Sequence, residues 1–190
     1  MTGFLFAGSG GQGVLFSGRV LAECAMAAGF QVTWFPSYGA EMRGGTANCT
    51  VAVSDGFIGS PVLREFDALV ALNAQSLERF LPRVKHGGLV VYESDGVTAP
   101  EPGGRRVHGI QAARLAAEAG DRRVANMAAL GALLALWPLV PMADALKSMA
   151  MVLAERSAAL GMNQYKARSI NTGAVMKGWQ SIADQKSADL

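Results

Sequence analysis

Cysteine and charged residues are both scarce in this chain of 190 residues, and each scarcity excludes a class of protein. The two cysteines, Cys24 and Cys49, are too few to hold an iron–sulfur cluster or a structural zinc ion. Charged residues make up 17% of the chain, the net charge is +2, and no basic stripe alternates with aromatics, so nucleic-acid binding is not expected. We expect two reduced, buried thiols in a cytoplasmic protein.

Long hydrophobic runs are also scarce. The longest uncharged segment, residues 124–143, is interrupted by Pro138 and Pro141, which favours a buried helix over a membrane span. No basic residue precedes the first apolar stretch, so the start does not look like a signal peptide. The length suits one well-cored domain over residues 1–190, and we expect no membrane association.

Apolar segments alternate with helical patterns through the first half of the chain. The patterns predict strands at 4–7, 31–36, 46–54, 68–72, 88–92 and 106–108, and helices at 12–28, 76–81, 111–119, 126–137, 142–160 and 163–180. Segment 46–54 alternates polar and apolar residues, which is typical of a half-buried strand. We therefore predict an α/β fold: a doubly wound, mostly parallel sheet with one antiparallel strand and a helical C-terminal section.

The first predicted strand runs into a glycine-rich loop before the first helix. Its residues are Gly8, Ser9, Gly10, Gly11, Gln12 and Gly13. A strand, glycine loop and helix N-terminus in that order present bare backbone N–H groups, which bind phosphate. The loop is therefore a candidate ligand site.

The glycine spacing also matches the dinucleotide fingerprint, but a nicotinamide site needs an acidic residue at the tip of the second strand. That strand runs into Pro36, and the first acid afterwards is Glu41, within a loop. Three interpretations of the glycines stay open at this point: a phosphate-bearing ligand other than a free dinucleotide, NAD or FAD, or a tight turn without any ligand.

A second candidate loop covers residues 37–45 and contains Ser37, Tyr38, Arg43, Gly44 and Gly45. It lies on the same edge as the first loop if the first two strands are parallel neighbours, and open α/β sheets bind ligands at that edge. Arg43 next to two glycines can lay its guanidinium fork against a phosphate. The alternative is a surface loop in which the glycines only permit positive φ angles.

The two loops together resemble the gamma subunit of the 2-oxoacid:acceptor oxidoreductases. The resemblance rests on Gly-Ser-Gly-Gly-Gln-Gly at 8–13 and Ser-Tyr-Gly-Ala-Glu-Met-Arg-Gly-Gly-Thr-Ala at 37–47, and it extends through 66–73, Asn126-Met127 and the helix from Asn163 to Gly173. Ala40 stands where we expect proline, which alters loop stiffness and not chemistry. The resemblance covers almost the whole chain.

The resemblance implies one subunit of an enzyme that oxidatively decarboxylates pyruvate, 2-oxoglutarate or a branched 2-oxoacid to acyl-CoA. By resemblance, the two loops help to bind coenzyme A as a co-substrate, with Arg43 near its phosphates. Thiamine diphosphate, Mg²⁺ and iron–sulfur clusters are expected only in partner subunits. We find no convincing catalytic set in this chain, and we predict that it is inactive alone.

The partners implied are alpha and beta subunits, with a ferredoxin-like subunit in some members and ferredoxin or another electron acceptor for the complex. The polar face of Thr46, Asn48 and Thr50 and the methionine-rich helices suggest surface that awaits a partner, so the isolated chain should self-associate. The alternatives are a purely structural assembly subunit without a ligand and a free-standing, Rossmann-like nucleotide-binding protein.

Overall fold

A computed structural model describes residues 1–38, 46–161 and 163–188. The strands are β1 (Thr2–Ser9), β2 (Gln31–Tyr38), β3 (Thr46–Ser54), β4 (Phe66–Ala71), β5 (Val84–Glu93) and β6 (Arg106–Ile110). The helices are α1 (Val14–Ala27), α2 (Ala74–Phe80), α3 (Ala112–Glu118), α4 (Ala125–Leu136), α5 (Met142–Leu160) and α6 (Gln164–Ala188), and 3₁₀ turns cover Leu81–Arg83 and Arg122–Val124.

The six strands form one sheet in the order β2-β3-β1-β4-β5-β6. β3 runs antiparallel to both of its neighbours, and the other adjacent pairs are parallel. Every strand except β3 therefore ends at the same edge of the sheet, which we call the carboxyl edge. The predicted α/β class, with one antiparallel strand and a helical C-terminal section, is confirmed.

The position of β3 corrects one expectation about the candidate site. β1 and β2 are not neighbours, because β3 lies between them and pairs with both along its whole length. Ser9 lies opposite Thr46, and Tyr38 lies opposite Ala47. The ends of β1 and β2 still reach the carboxyl edge together, but they are two strand spacings apart, about 10 Å.

The same pairing moves four predicted loop residues into strands. Gly8 and Ser9 are the last residues of β1, and Ser37 and Tyr38 are the last residues of β2. Each is opposite a residue at the start of β3, so the ladder holds them in extended conformation. The glycine loop proper is therefore residues 10–13.

The hydrophobic core covers both faces of the sheet, and more helices pack on one face than on the other. On one face, side chains of the central strands pack beneath α1, α3, α4, α5 and α6. α4 is buried on nearly all sides, and α6 crosses it so closely that a Cβ on Gly131 would collide with the backbone oxygen of Val175. On the other face α2 packs on β1, β4 and β5 through Leu77 and Phe80. In the described parts of the chain, no helix has the length and apolar content of a membrane span.

Candidate functional site

The glycine loop joins β1 to α1 at the carboxyl edge. Gly11 and Gly13 have φ angles of 91° and 74°, a left-handed conformation that favours glycine. Gly13 is the N-cap of α1, so the helix begins without a side-chain cap and without an acidic residue in its first turn. Among the described residues, the backbone N–H groups of Gly11, Gly13 and Val14 have no hydrogen-bond partner. These groups and the positive end of the helix dipole are available to an anion.

A network of two side-chain amides fixes the base of this loop. The Gln12 Oε1 atom accepts hydrogen bonds from the Ser9 N–H at 2.7 Å and the Asn73 Nδ2 at 2.9 Å. Gln12 Nε2 donates to the Leu72 carbonyl at 3.0 Å, and Asn73 Nδ2 also donates to Ser9 Oγ at 2.9 Å. The tips of β1 and β4 are thereby held together, and three of the four hydrogen bonds that the Gln12 amide can make are formed with described residues.

Asn73 also makes the second helix at this edge different from the first. Its Oδ1 atom accepts the backbone N–H of Ser76 at 2.8 Å, which caps the N-terminus of α2. α1 therefore has a free N-terminus, whereas the neighbouring α2 does not.

A buried asparagine supports the loop from the helical side. Asn126 is 4% exposed, and its Nδ2 donates to the Gly13 carbonyl and to Ser17 Oγ, both at 3.1 Å. Ser17 Oγ in turn donates to the Asn126 carbonyl at 3.2 Å. A Cβ at position 13 would lie 2.7 Å from Asn126 Nδ2, so this position requires glycine for space as well as for its φ angle.

A pocket of about 470 Å³ opens beside the glycine loop, between the ends of β1, β4 and β5. It lies where the strand order reverses, with β3 and β2 on one side of β1 and β4 on the other, the position at which open α/β sheets bind ligands. Its walls come from the glycine loop, the β4–α2 connection, the segment after β5 and the start of α4. The lining residues are Gly11, Gln12, Leu72, Asn73, Ala74, Glu93, Asp95, Gly96, Val97, Ala113, Arg122, Arg123 and Ala125.

The charged side chains at this pocket differ in how closely they are bound by other protein groups. Glu93 accepts the N–H of Ala113 at 2.8 Å and that of Asp95 at 3.0 Å, one with each carboxylate oxygen. Arg123 donates to Asp121 through Nε at 3.0 Å and Nη2 at 2.6 Å, and these hydrogen bonds lower the pKa of the Asp121 carboxyl. Arg122 makes a looser ion pair, with Nη2 3.7 Å from Asp95 Oδ2.

The structure places some of the predicted site residues at the pocket and others away from it. Gly11 and Gln12 line the pocket, Gly10 and Gly13 complete its loop, and Gly8 and Ser9 end the strand beneath it. Ser37 is exposed at the end of β2, and Tyr38 follows it in the same strand. Arg43, Gly44 and Gly45 lie outside the described residues.

Sequence reasoning missed several residues of this site. Asn73 directly follows the buried strand β4, so the rule that singled out the loop after β1 could also have found it. Arg122 and Arg123 look like an isolated, solvated pair in the sequence; they are exposed, but they also line the pocket. No local pattern marks them, because they enter from the α3–α4 connection.

The two thiols are not nucleophiles of this site. Cys24 and Cys49 are buried, and desolvation raises their pKa values to about 11 and about 12, so both stay protonated at neutral pH. The described residues contain no group of three or more His, Cys, Asp or Glu side chains that could hold a metal ion. The arrangement is suited to binding and orienting a ligand.

Comparisons with curated proteins agree with the resemblance found in the sequence. The ketoisovalerate oxidoreductase subunit VorA of Methanothermobacter marburgensis is 42% identical over 130 residues, which is 68% of this chain and 27% of VorA. The 2-oxoglutarate synthase subunit KorC of Archaeoglobus fulgidus is 39% identical over 136 residues, 71% of this chain and 70% of KorC. The chain thus spans about a quarter of VorA but most of KorC.

Solved structures match over nearly the whole chain. The gamma subunit of a keto/oxoacid ferredoxin oxidoreductase from Geobacter sulfurreducens has a TM-score of 0.79 and 30% identity, covering 97% of this chain and 99% of that subunit. A 2-oxoglutarate:ferredoxin oxidoreductase from Magnetococcus marinus, with 2-oxoglutarate, coenzyme A and succinyl-CoA bound, has a TM-score of 0.78 and 29% identity. That match covers 97% of this chain and 31% of the Magnetococcus chain.

The family assignment covers most of the sequence. Residues 3–174 match the family described as pyruvate ferredoxin/flavodoxin oxidoreductase. That span includes the sheet, the glycine loop and the pocket beside it. Together with the relatives above, it shows that this chain belongs to the pyruvate ferredoxin/flavodoxin oxidoreductase family.

Proposed function

We propose that this chain is the gamma subunit of a 2-oxoacid:acceptor oxidoreductase, an enzyme complex that oxidatively decarboxylates a 2-oxoacid to acyl-CoA. The full-length likeness to the Geobacter gamma subunit and the identity with KorC support this assignment. The chain acts with alpha and beta subunits, which hold thiamine diphosphate and Mg²⁺, and the complex passes electrons to ferredoxin or another acceptor. Iron–sulfur clusters also belong to the partners, because this chain has two cysteines and both are buried.

Within that complex, the role of this chain is to bind and position coenzyme A. The observation that carries this role is the uncapped N-terminus of α1, whose free backbone N–H groups lie beside a pocket at the carboxyl edge. By contrast, α2 has an N-terminus that is capped within the protein, where Asn73 accepts the N–H of Ser76. The bound coenzyme A in the Magnetococcus relative is consistent with this role.

The fit of coenzyme A rests on its phosphates. The loop from Gly10 to Gly13 lets backbone approach an anion closely, because Gly11, which lines the pocket, has no side chain. Arg43 would add a guanidinium fork from the neighbouring loop. When bound, coenzyme A supplies the thiol that accepts the acyl group. The residues of this chain orient the molecule by positioning alone, and none of them changes protonation.

Two exposed aromatics on the sheet mark a surface for the partner subunits. Trp34 and Phe35 of the edge strand β2 are 38% and 44% exposed, one on each face of the sheet. Exposed aromatics at a sheet edge are suited to an interface. The same surface supports the expectation that the isolated chain self-associates.

Substitution of Arg43 in the assembled complex tests the role in coenzyme A binding. We expect Arg43→Ala to raise the KM for coenzyme A about ten- to a hundredfold, since a charge-assisted hydrogen bond is worth about 1.5–3 kcal/mol. Decarboxylation of the 2-oxoacid should be unaffected, and Arg43→Lys should restore part of the affinity. Arg114→Ala is the control, because Arg114 pairs with Glu118 on the surface and does not line the pocket.

The same experiment distinguishes a subunit that binds coenzyme A from a purely structural subunit. If Arg43→Ala leaves the coenzyme A dependence unchanged but splits the complex on gel filtration, the loop contacts a partner chain and no ligand. Measurable NAD or FAD affinity of the isolated chain would instead favour a free-standing nucleotide-binding protein.

A further inference from the structure

The pocket beside the glycine loop is lined by charged side chains to which the proposed function gives no role. Two of its neighbouring carboxylates are committed to the protein. Glu93 uses both oxygens on backbone N–H groups, and Asp121 receives both the N–H and the guanidinium of Arg123. Arg123 is therefore also committed, since two of its nitrogens are bonded to one carboxylate.

Arg122 is the exception among these groups. Its nearest carboxylate oxygen, on Asp95, is 3.7 Å away, and within the described part of the chain the guanidinium makes no hydrogen bond. The side chain is 72% exposed. An exposed, loosely paired guanidinium retains its donors for another acceptor, and the ion pair itself adds little stability.

The backbone of Arg122 is anchored to the glycine loop. It begins the 3₁₀ turn Arg122–Val124, which leads directly into α4. Asn126, in the first turn of α4, donates to the Gly13 carbonyl at 3.1 Å. Arg122 and Gly11 both line the pocket, and the contact between Asn126 and Gly13 joins the elements that carry them.

We propose that Arg122 contacts a phosphate of the nucleotide portion of coenzyme A in this pocket, and that Asp95 competes with that phosphate for the guanidinium. The proposal rests on the proposed function and adds a second cation to Arg43. A phosphate accepts two parallel N–H bonds from arginine, which the single contact with Asp95 does not provide. The volume of about 470 Å³ is within the range of small-molecule sites, and Leu72, Val97 and Ala113 give it an apolar wall.

Opposite effects of two substitutions in the assembled complex test this proposal. The rate of 2-oxoacid-dependent dye reduction is measured against coenzyme A concentration for Arg122→Ala, Asp95→Asn and the control Arg114→Ala. We expect Arg122→Ala to raise the KM for coenzyme A about tenfold and Asp95→Asn to lower it severalfold, because the guanidinium loses its competitor. Arg122→Lys should have an intermediate KM, and Arg114→Ala should match the wild type.

Two outcomes would overturn the proposal. If Arg122→Ala has the KM of Arg114→Ala, Arg122 does not contact the ligand. If Asp95→Asn raises the KM as Arg122→Ala does, the ion pair only supports the fold of the pocket. In both cases an increased KM for Arg43→Ala would leave the proposed function intact, whereas a wild-type rate that does not depend on coenzyme A would overturn the proposed function itself.

Discussion

The side-chain amide of Asn126 donates a hydrogen bond to the backbone carbonyl of Gly13 at 3.1 Å, across 113 positions of the chain. This contact joins the start of α4 to the last residue of the glycine loop. Ser17 closes the arrangement by bonding to both the amide and the carbonyl of Asn126. Because these groups are buried, the loop conformation depends on a residue that does not line the pocket.

Replacement of Asn126 by alanine should destabilise the protein. The substitution removes the donor to Gly13 and leaves buried polar groups unpaired, which costs about 1–3 kcal/mol. The free energy of unfolding, measured by urea denaturation, should fall by that amount. The matched control is Gln185→Ala, which removes an exposed amide that donates to the Gly109 carbonyl at 3.3 Å and should cost less than about 0.5 kcal/mol. Equal losses for the two variants would contradict a special role for Asn126.

The close crossing of α4 and α6 should not tolerate a methyl group. A Cβ on Gly131 would collide with the backbone oxygen of Val175, and backbone cannot move aside as a side chain can. We expect Gly131→Ala to lower the free energy of unfolding by about 1–3 kcal/mol, despite the better helix propensity of alanine. Gly56→Ala is the control, because a Cβ there meets no atom within 4 Å. A Gly131→Ala protein as stable as Gly56→Ala would refute the packing described.

The buried thiols should make the fold less stable in alkaline solution. Burial raises the pKa of Cys24 to about 11 and that of Cys49 to about 12, whereas an unfolded thiol titrates near about 8.5. Between these values the unfolded chain has lost protons that the folded chain keeps, so the thiol contribution is complete below about pH 8.5. It is lost as pH rises through about 11 for Cys24 and about 12 for Cys49.

Urea denaturation at pH 8 and pH 10 measures this effect. The wild type should lose more stability over that interval than the double variant Cys24→Ala/Cys49→Ala, which lacks the two thiols. Iodoacetamide should modify neither cysteine in the folded chain at pH 8 and both in urea. Rapid modification of the folded chain would show that the thiols are accessible and would contradict their burial.

The purified chain should be catalytically silent on its own. It has two cysteines, both buried, which are too few for an electron-transfer cluster, and we propose that it only binds and positions coenzyme A. We expect no 2-oxoacid-dependent, coenzyme A-dependent reduction of a viologen dye and no visible absorbance from a flavin or cluster. The activity should appear when the chain is assembled with its partner subunits. Turnover by the isolated chain would contradict its assignment as a subunit.

Local patterns in the sequence predicted most of the elements but not their order in the sheet. The apolar runs gave β1, β4 and β5, since these signals depend on neighbouring residues alone. Alternation found β3 as a strand, but the expectation that it is half-buried was wrong, because β3 lies between β1 and β2 and its residues 49–53, Thr50 included, are all buried. The insertion of β3 between β1 and β2 depends on pairing between distant segments, which no local pattern contains. α6 continues to Ala188, beyond the predicted end at 180, because no glycine or proline stops it.

The candidate site could be predicted only in part for the same reason. The glycine loop is marked by its composition at a strand end, and Gly11 and Gly13 do adopt the left-handed conformation. Asn126 reaches the loop, and Arg122 the pocket beside it, from more than 100 positions away, through the packing of α4 on the sheet. The contribution of Arg43 stays a prediction, since it lies outside the described residues.

Hydrogen–deuterium exchange of the assembled complex, with and without coenzyme A, tests the central claim most directly. If coenzyme A binds the free N–H groups of the glycine loop, amide exchange in a peptide covering residues 10–17 should slow at saturating ligand. A peptide covering residues 145–155 of α5 serves as the reference, because none of these residues lines the pocket. Slower exchange at the glycine loop with an unchanged α5 reference is the predicted result. Unchanged exchange at the loop in a complex that is turning over coenzyme A would contradict the account.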